Sequence, residues 1–152
     1  MDVLVTIDHG NDLVEEVEVE ALCTFAMEQE GKPAESEVSV TFVDNEEMAR
    51  LNTEYRGIEG PTDVLSFECD NIEDELTAAR SQEEPYELGD IVIAPEVALA
   101  QSEDYGTSVA EEIELLLVHG ILHLCGWDHM EDEEAEAMEA REQEILQAWR
   151  AR

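Results

Sequence analysis

Four segments of the chain have the apolar pattern of β-strands. Residues 3–7 and 38–43 place apolar side chains at alternate positions, as a strand with one buried face does. Residues 64–67 and 90–94 are shorter apolar segments that follow turn-forming residues. The pattern therefore predicts a small sheet of four strands.

Apolar residues spaced three or four positions apart predict about five helices between and after these strands. The last helix has an acidic face opposite its apolar residues, which is typical of a helix that lies on the protein surface. The expected ranges are 13–29, 45–55, 95–104, 109–124 and a last helix that starts after residue 129 and buries Met138, Ile145 and Trp149.

Residues that commonly begin helices stand where these ranges begin. Asp44, with Glu47 three residues later, resembles a capping box. Pro95 suits the first turn of a helix, where its missing N–H costs nothing. Either Thr107 or Ser108 can cap the helix that follows.

The order of elements is β-α-β-α-β-β-α-α-α, with no internal repeat and no linker to a second domain. It predicts a single α+β domain over residues 1–152, with a small mixed four-stranded sheet packed against the helices. The acidic segment 69–87 is expected to be an exposed excursion with one helical turn at 76–80.

The net charge of −34, from 41 acidic and 7 basic residues, opposes a simple nucleic-acid-binding function. An average field of this sign repels phosphates. Any role on RNA must then rest on a local site, or on a partner that supplies positive charge. The hydrophobic share of 43% is that of an ordinary globular protein.

The chain has no apolar segment near the roughly 18 residues that a membrane helix needs. Its first residues lack the basic start of a secretory signal, so we expect a cytoplasmic protein without a membrane role. Three cysteines, Cys23, Cys69 and Cys125, are odd in number and form no C-x-x-C pair. They are expected to be reduced, partly buried thiols.

The main candidate for chemistry is a histidine cluster, because His119 and His123 are four residues apart within an expected helix. Residues at this spacing project from the same helix face, so both imidazoles can bind one zinc ion. If the helix continued to His129, that side chain would be rotated by roughly 120° and lie ~9 Å further along the axis. Gly126 can end the helix in a left-handed conformation and let the chain bring His129 back to the ion.

Three histidines leave one coordination position open for water, as in catalytic rather than structural zinc sites. The spacing matches the metzincin peptidases, in which a glutamate general base follows the first histidine. Gly120 stands at that position here, which argues against ordinary peptide hydrolysis. Asp128 is a possible catalytic base or a partner of a zinc ligand, and a cap of the last helix is an equally good interpretation.

Other chemically capable residues are assigned structural roles. His9 is distant in sequence and is not expected to bind the metal. Cys125 lies between two expected ligands and should point into the core. Asp63, Ser66 and Asp90 flank strands near the expected cleft; Asp63 can brace a loop, and Asp90 can orient a zinc histidine.

Four segments of the chain carry recognisable motifs. Residues 119–129 read H-G-I-L-H-L-C-G-W-D-H, and before them come N-x-x-Y-R at 52–56, P-T-D-V-L-S-F at 61–67 and L-G-D-I at 88–91. In these motifs and their order the sequence resembles the YbeY family of bacterial endoribonucleases. The family signature is H-G-x-L-H-L-x-G-x-D-H, and Trp127 stands where the family usually has tyrosine.

The resemblance implies a metal-dependent endoribonuclease that cuts single-stranded RNA and matures the 3′ end of small-subunit rRNA. A role in ribosome quality control is also implied. The implied ligands of one zinc ion are His119, His123 and His129, and the implied functional arginine is Arg56. Zinc lowers the pKa of bound water to about 7, which suits phosphodiester cleavage, and the planar guanidinium of Arg56 matches phosphate geometry. Implied partners are a small-subunit ribosomal protein and a ribosome-associated GTPase.

Two other functions remain open from the sequence. One is a ribosome-assembly factor that binds basic ribosomal proteins through its acidic surface and holds a structural zinc. The other is a zinc metallopeptidase, which Gly120 disfavours.

Overall fold

The computed structural model describes residues 1–68, 86–127 and 131–152. These residues form one sheet of four strands with six helices. The strands are β1 (Asp2–Ile7), β2 (Ser36–Phe42), β3 (Val64–Glu68) and β4 (Tyr86–Ile93). The helices are α1 (Asn11–Val14), α2 (Val19–Gln29), α3 (Asn45–Arg56), α4 (Pro95–Tyr105), α5 (Val109–Leu124) and α6 (Asp132–Ala151).

The sheet is mixed, with strand order β1-β2-β4-β3. Strand β2 runs parallel to both β1 and β4, whereas β3 is antiparallel to β4. The prediction of an α+β fold around a mixed four-stranded sheet is confirmed. Strand β3 is an edge strand, so one of its sides is not paired with another strand.

Helices cover both faces of the sheet. On β4, Ile91 and Ile93 belong to the main core, which also contains buried residues of α2, α5 and α6. Val92 points to the opposite face, since successive strand residues alternate, and packs in a smaller cluster with Met48 of α3. The last helix buries Met138, Ile145 and Trp149, as predicted.

The predicted helix at 13–29 is wrong as a single element, because the chain breaks between α1 and α2. Val14, Val17 and Val19 are all buried. Val17 and Val19 are two positions apart, which is roughly 200° around a helix. A continuous helix cannot bury both on one face, so burial of the three valines requires the break.

Strand β4 begins at Tyr86, earlier than the predicted start at residue 90. Residues 86–89 contain glutamate and glycine, which have low strand propensity. Pairing with β2 and β3 overrides that propensity. An added Cβ at Gly89 would lie 2.1 Å from the Phe67 carbonyl oxygen, so glycine is needed there. The remainder of the expected excursion, with its helical turn at 76–80, lies outside the described residues.

The helix-start predictions agree with the structure. The Asp44 side chain accepts a hydrogen bond of 2.8 Å from the Glu47 N–H. Ser108, rather than Thr107, caps α5, and both arms of its capping box with Glu111 are formed. In the described ranges, no helix is long and apolar enough to cross a membrane.

Helix α5 approaches the sheet closely where it carries Gly120. A Cβ added to Gly120 would lie 2.9 Å from Cδ1 of Ile91 and 3.1 Å from two further carbons of that side chain. Both residues are buried. The glycine therefore sets how closely this helix packs on strand β4.

Gly120→Ala is expected to destabilise the fold by about 1 to 3 kcal/mol through overpacking. Replacing glycine by alanine within a helix usually increases stability by about 1 kcal/mol. The expected change at Gly120 is in the opposite direction. Urea unfolding followed by circular dichroism measures the change.

Ile91→Val provides the matched control, because it removes the Cδ1 atom nearest to the added methyl group. The double variant should lose less stability than the sum of the two single variants. A Gly120→Ala protein as stable as wild type would contradict the close approach.

Candidate active site

Helix α5 presents His119 and His123 on one face. Their ring centroids are 5.0 Å apart, and the ring planes are inclined by 82°. Both side chains are half-buried, whereas the intervening residues 120–122 are buried in the core. The core packing of α5 therefore turns the two imidazoles towards the same space outside it.

The helix ends as the sequence predicts. Gly126 has φ +100°, its N–H bonds to the His123 carbonyl, and the Trp127 N–H bonds to the Leu122 carbonyl, both at 3.0 Å. This pair of bonds is a Schellman motif, which reverses the chain at a helix end. The next residues, 128–130, lie outside the described ranges, so the roles of Asp128 and His129 stay predictions.

The described residues do bear on one interpretation of Asp128. Helix α6 begins at Asp132, and its N-cap residue is Glu131. Asp128 is three residues before that position, so it is not the N-cap of α6.

The two imidazoles line a cleft of about 400 Å³ that lies along edge strand β3 and helix α5. The cleft also receives the side chain expected to bind phosphate, Arg56, from the last turn of α3. Its lining residues are Arg56, Thr62, Asp63, Val64, Leu65, Ser66, His119 and His123.

Arg56 differs from the other arginines in the described ranges. Arg50, Arg141, Arg150 and Arg152 each form an ion pair with a carboxylate. Arg56 forms none with any described residue, although the chain contains 41 acidic residues. Its charge is therefore available to an anion that enters the cleft.

Sequence reasoning missed Glu142, which orients His119. Its carboxylate lies 2.6 Å from the Nδ1 atom of His119, and its side chain is 7% exposed. A carboxylate only accepts, so the hydrogen is on Nδ1 and the lone pair is on Nε2. This arrangement is the one that carboxylates impose on metal-binding histidines.

The signal for Glu142 was present in the sequence. Met138, Glu142, Ile145 and Trp149 follow each other at intervals of four, three and four residues. A glutamate in the apolar stripe of a helix is rarely buried without a partner. Only the fold shows that this partner is a histidine of another helix.

The expectation for Asp90 is wrong, and that for Asp63 is supported by its contacts. Asp90 hydrogen-bonds with Ser39 and lines a different cleft over the sheet. Asp63 accepts hydrogen bonds from the Val64 N–H at 2.8 Å and from Gln101 at 3.1 Å. These two hydrogen bonds fix the loop that leads into β3, which is the structural role expected for Asp63.

His9 and the two described cysteines do not form a metal-ligand cluster with His119 and His123, and Cys69 lies outside the described residues. His9 pairs with Glu96. Burial raises the pKa of Cys23 to about 12 and that of Cys125 to about 11. The described residues by themselves do not assemble three metal-ligating side chains, so a third ligand would have to come from residues such as His129.

Comparison with known proteins gives one consistent family. The family model described as "Endoribonuclease YbeY" matches residues 8–150. Proteins named endoribonuclease YbeY from Staphylococcus saprophyticus and Bacillus subtilis are 42% and 41% identical to the chain. The first alignment covers 93% of this chain and 92% of the relative, and the second covers 94% and 92%.

A solved structure shares the fold of this chain. The solution structure of a protein from Thermotoga maritima matches with a TM-score of 0.59 and 25% identity, over 99% of this chain and 93% of that one. The family model and the named relatives confirm the sequence resemblance over nearly the full length. The chain belongs to the endoribonuclease YbeY family.

Proposed function

We propose that this protein is a zinc-dependent endoribonuclease that cuts single-stranded RNA, with small-subunit rRNA as its substrate. Family membership supports the cleavage of RNA. The observation that carries the proposal is the position of Arg56, whose charge is unpaired among the described residues, in the same cleft as His119 and His123.

The donors in the cleft fit zinc. His119 and His123 supply neutral imidazole nitrogens from one helix face, with His129 proposed as the third ligand. Glu142 accepts the Nδ1–H of His119, so the lone pair of that imidazole is on Nε2, the atom that would bind zinc. Zinc, when bound, would supply a Lewis acid and activate water at neutral pH.

Arg56 would bind the phosphate to be cut. Its planar guanidinium can donate two parallel hydrogen bonds to phosphate oxygens, and its charge does not depend on pH in the working range. Strand β3 would hold the RNA against the histidines, because residues 62–66 form the wall of the cleft. Asp128 stays the candidate proton acceptor.

The further assignments follow the family resemblance. We propose maturation of the 3′ end of small-subunit rRNA and ribosome quality control in the cytoplasm. A small-subunit ribosomal protein and a ribosome-associated GTPase are the proposed partners. The net charge of −34 supports partners with basic surfaces.

The same charge favours one other candidate, a ribosome-assembly factor with a structural zinc. The open cleft beside the histidines supports the enzyme instead. A zinc peptidase is disfavoured more strongly, since Gly120 is buried against Ile91 and leaves no room for a glutamate side chain.

Arg56→Ala is expected to lower the rate of RNA cleavage about 100- to 1,000-fold, the usual effect of removing one charge-stabilising donor. Cleavage of a labelled single-stranded RNA from the end of small-subunit rRNA measures the rate. Zinc content, measured by mass spectrometry, should stay at the wild-type level.

Arg50→Ala is the matched control, because Arg50 lies on the same helix and is paired with Glu47 and Glu54. It should cleave at the wild-type rate. Equal cleavage by both variants would reject the role of Arg56. A wild-type protein that binds zinc but cuts no RNA would favour the assembly factor.

Glu142→Gln is expected to weaken zinc binding about 10- to 100-fold, because the neutral amide no longer fixes His119 as a charged carboxylate does. Competition with a chromophoric chelator measures the affinity without relying on activity. Glu139→Gln removes the same charge from an exposed position of α6 and should leave the affinity unchanged. Equal affinities in the two variants would show that Glu142 does not act on the metal.

A further inference from the structure

The charge of the protein raises the question of how RNA is held beside Arg56. A net charge of −34 repels a polyanion at long range. Arg56 offers one phosphate contact, whereas proteins that rely on charge use many. The rest of the binding energy must come from short-range contacts that tolerate an acidic surface. Stacking of a base on an aromatic ring is the main contact of this kind.

An exposed aromatic side chain lies next to Arg56. Tyr55 is 60% exposed, and Ile58, on the other side of Arg56, is 46% exposed. The described part of the chain offers no hydrogen-bond partner to the Tyr55 hydroxyl. Tyrosines that serve the core are buried to a larger extent than this.

Tyr55 is held in place by a second aromatic ring. Its ring meets that of Phe67 in an edge-on contact, with centroids 5.1 Å apart and planes inclined by 66°. Phe67 is half-buried and packs on the cluster around Met48 and Leu65. A stacking platform needs such an anchor, because a fixed ring loses little conformational entropy when a base binds.

The aromatic pair neighbours the cleft along the chain, although neither ring is among the residues that line it, and Phe67 lines the other cleft, over the sheet. Tyr55 immediately precedes Arg56, and Phe67 immediately follows Ser66, and both of these neighbours line the cleft. The carboxylate nearest to Tyr55 in sequence, Glu54, is paired with Arg50 at 2.7 Å. That pairing reduces the repulsion that an incoming strand would meet.

We infer that the Tyr55–Phe67 pair is a subsite for one nucleobase of the single-stranded RNA whose phosphate lies at Arg56. The inference rests on the proposed function and adds a specific contact to it. An unpaired base can stack on the exposed ring of Tyr55. A base within a duplex is already stacked and paired, so the subsite selects single strands.

The test compares Tyr55→Leu with Tyr55→Phe in the zinc-loaded protein, using labelled single-stranded RNA. Leucine keeps apolar contact with Phe67 but removes the ring. It should raise KM about 5- to 150-fold, the effect of losing one stacked base, and change kcat less than about twofold. Phenylalanine should keep the wild-type KM. Thermal unfolding checks that each variant is folded.

Tyr105→Leu is the matched control, because Tyr105 is 71% exposed at the end of α4 and none of residues 104–106 lines the cleft, whereas Arg56, next to Tyr55, does. Substrates with an abasic nucleotide at successive positions near the cut provide the second measurement. One abasic position should raise the KM of wild type and have no further effect on Tyr55→Leu. A purely structural role of Tyr55 would not produce this loss of additivity.

The outcomes separate the two proposals. Wild-type KM in Tyr55→Leu, or a full abasic effect in that variant, would overturn the subsite and leave RNA cleavage standing. A wild-type protein that cuts no single-stranded RNA would overturn the proposed function and the subsite with it.

Discussion

The packing of helix α5 against the sheet is the constraint on which the site depends. Nine of its 16 residues are buried, and Gly120 lets it lie directly on Ile91. Because this helix is fixed by its core face, the two histidines on its half-buried side have little freedom. The capping box at Ser108 and the Schellman motif at Gly126 then define where the helix begins and ends.

Residues from three other elements line the cleft or hold one of its histidines, and each is fixed by a different interaction. Arg56 comes from the last turn of α3, which is anchored by Met48 in the smaller cluster. Strand β3 is held by pairing with β4. Glu142 reaches His119 from α6, whose apolar stripe is buried in the main core. A change in any of these packings would displace a group in the cleft.

Much of this arrangement follows from local sequence patterns. Alternation and helical spacing predict the four strands and most of the helices, and short motifs place the caps and the two histidines correctly. The failures all involve tertiary structure. The break before α2 arises from the burial of three valines, and the early start of β4 arises from pairing that overrides the propensities of glutamate and glycine. Glu142 could be suspected from its apolar stripe, but a contact across 23 residues requires the fold.

The isolation of Arg56 bears on how such an enzyme would turn over. A surface rich in cations holds RNA along many phosphates and lets it slide, but it also retains the products. Here the other described arginines are neutralised by carboxylates, and the surrounding field is negative. A strand held at one phosphate and one base, as proposed, would have few contacts to break after it is cut. Low processivity and rapid release of product ends would follow from this distribution of charge.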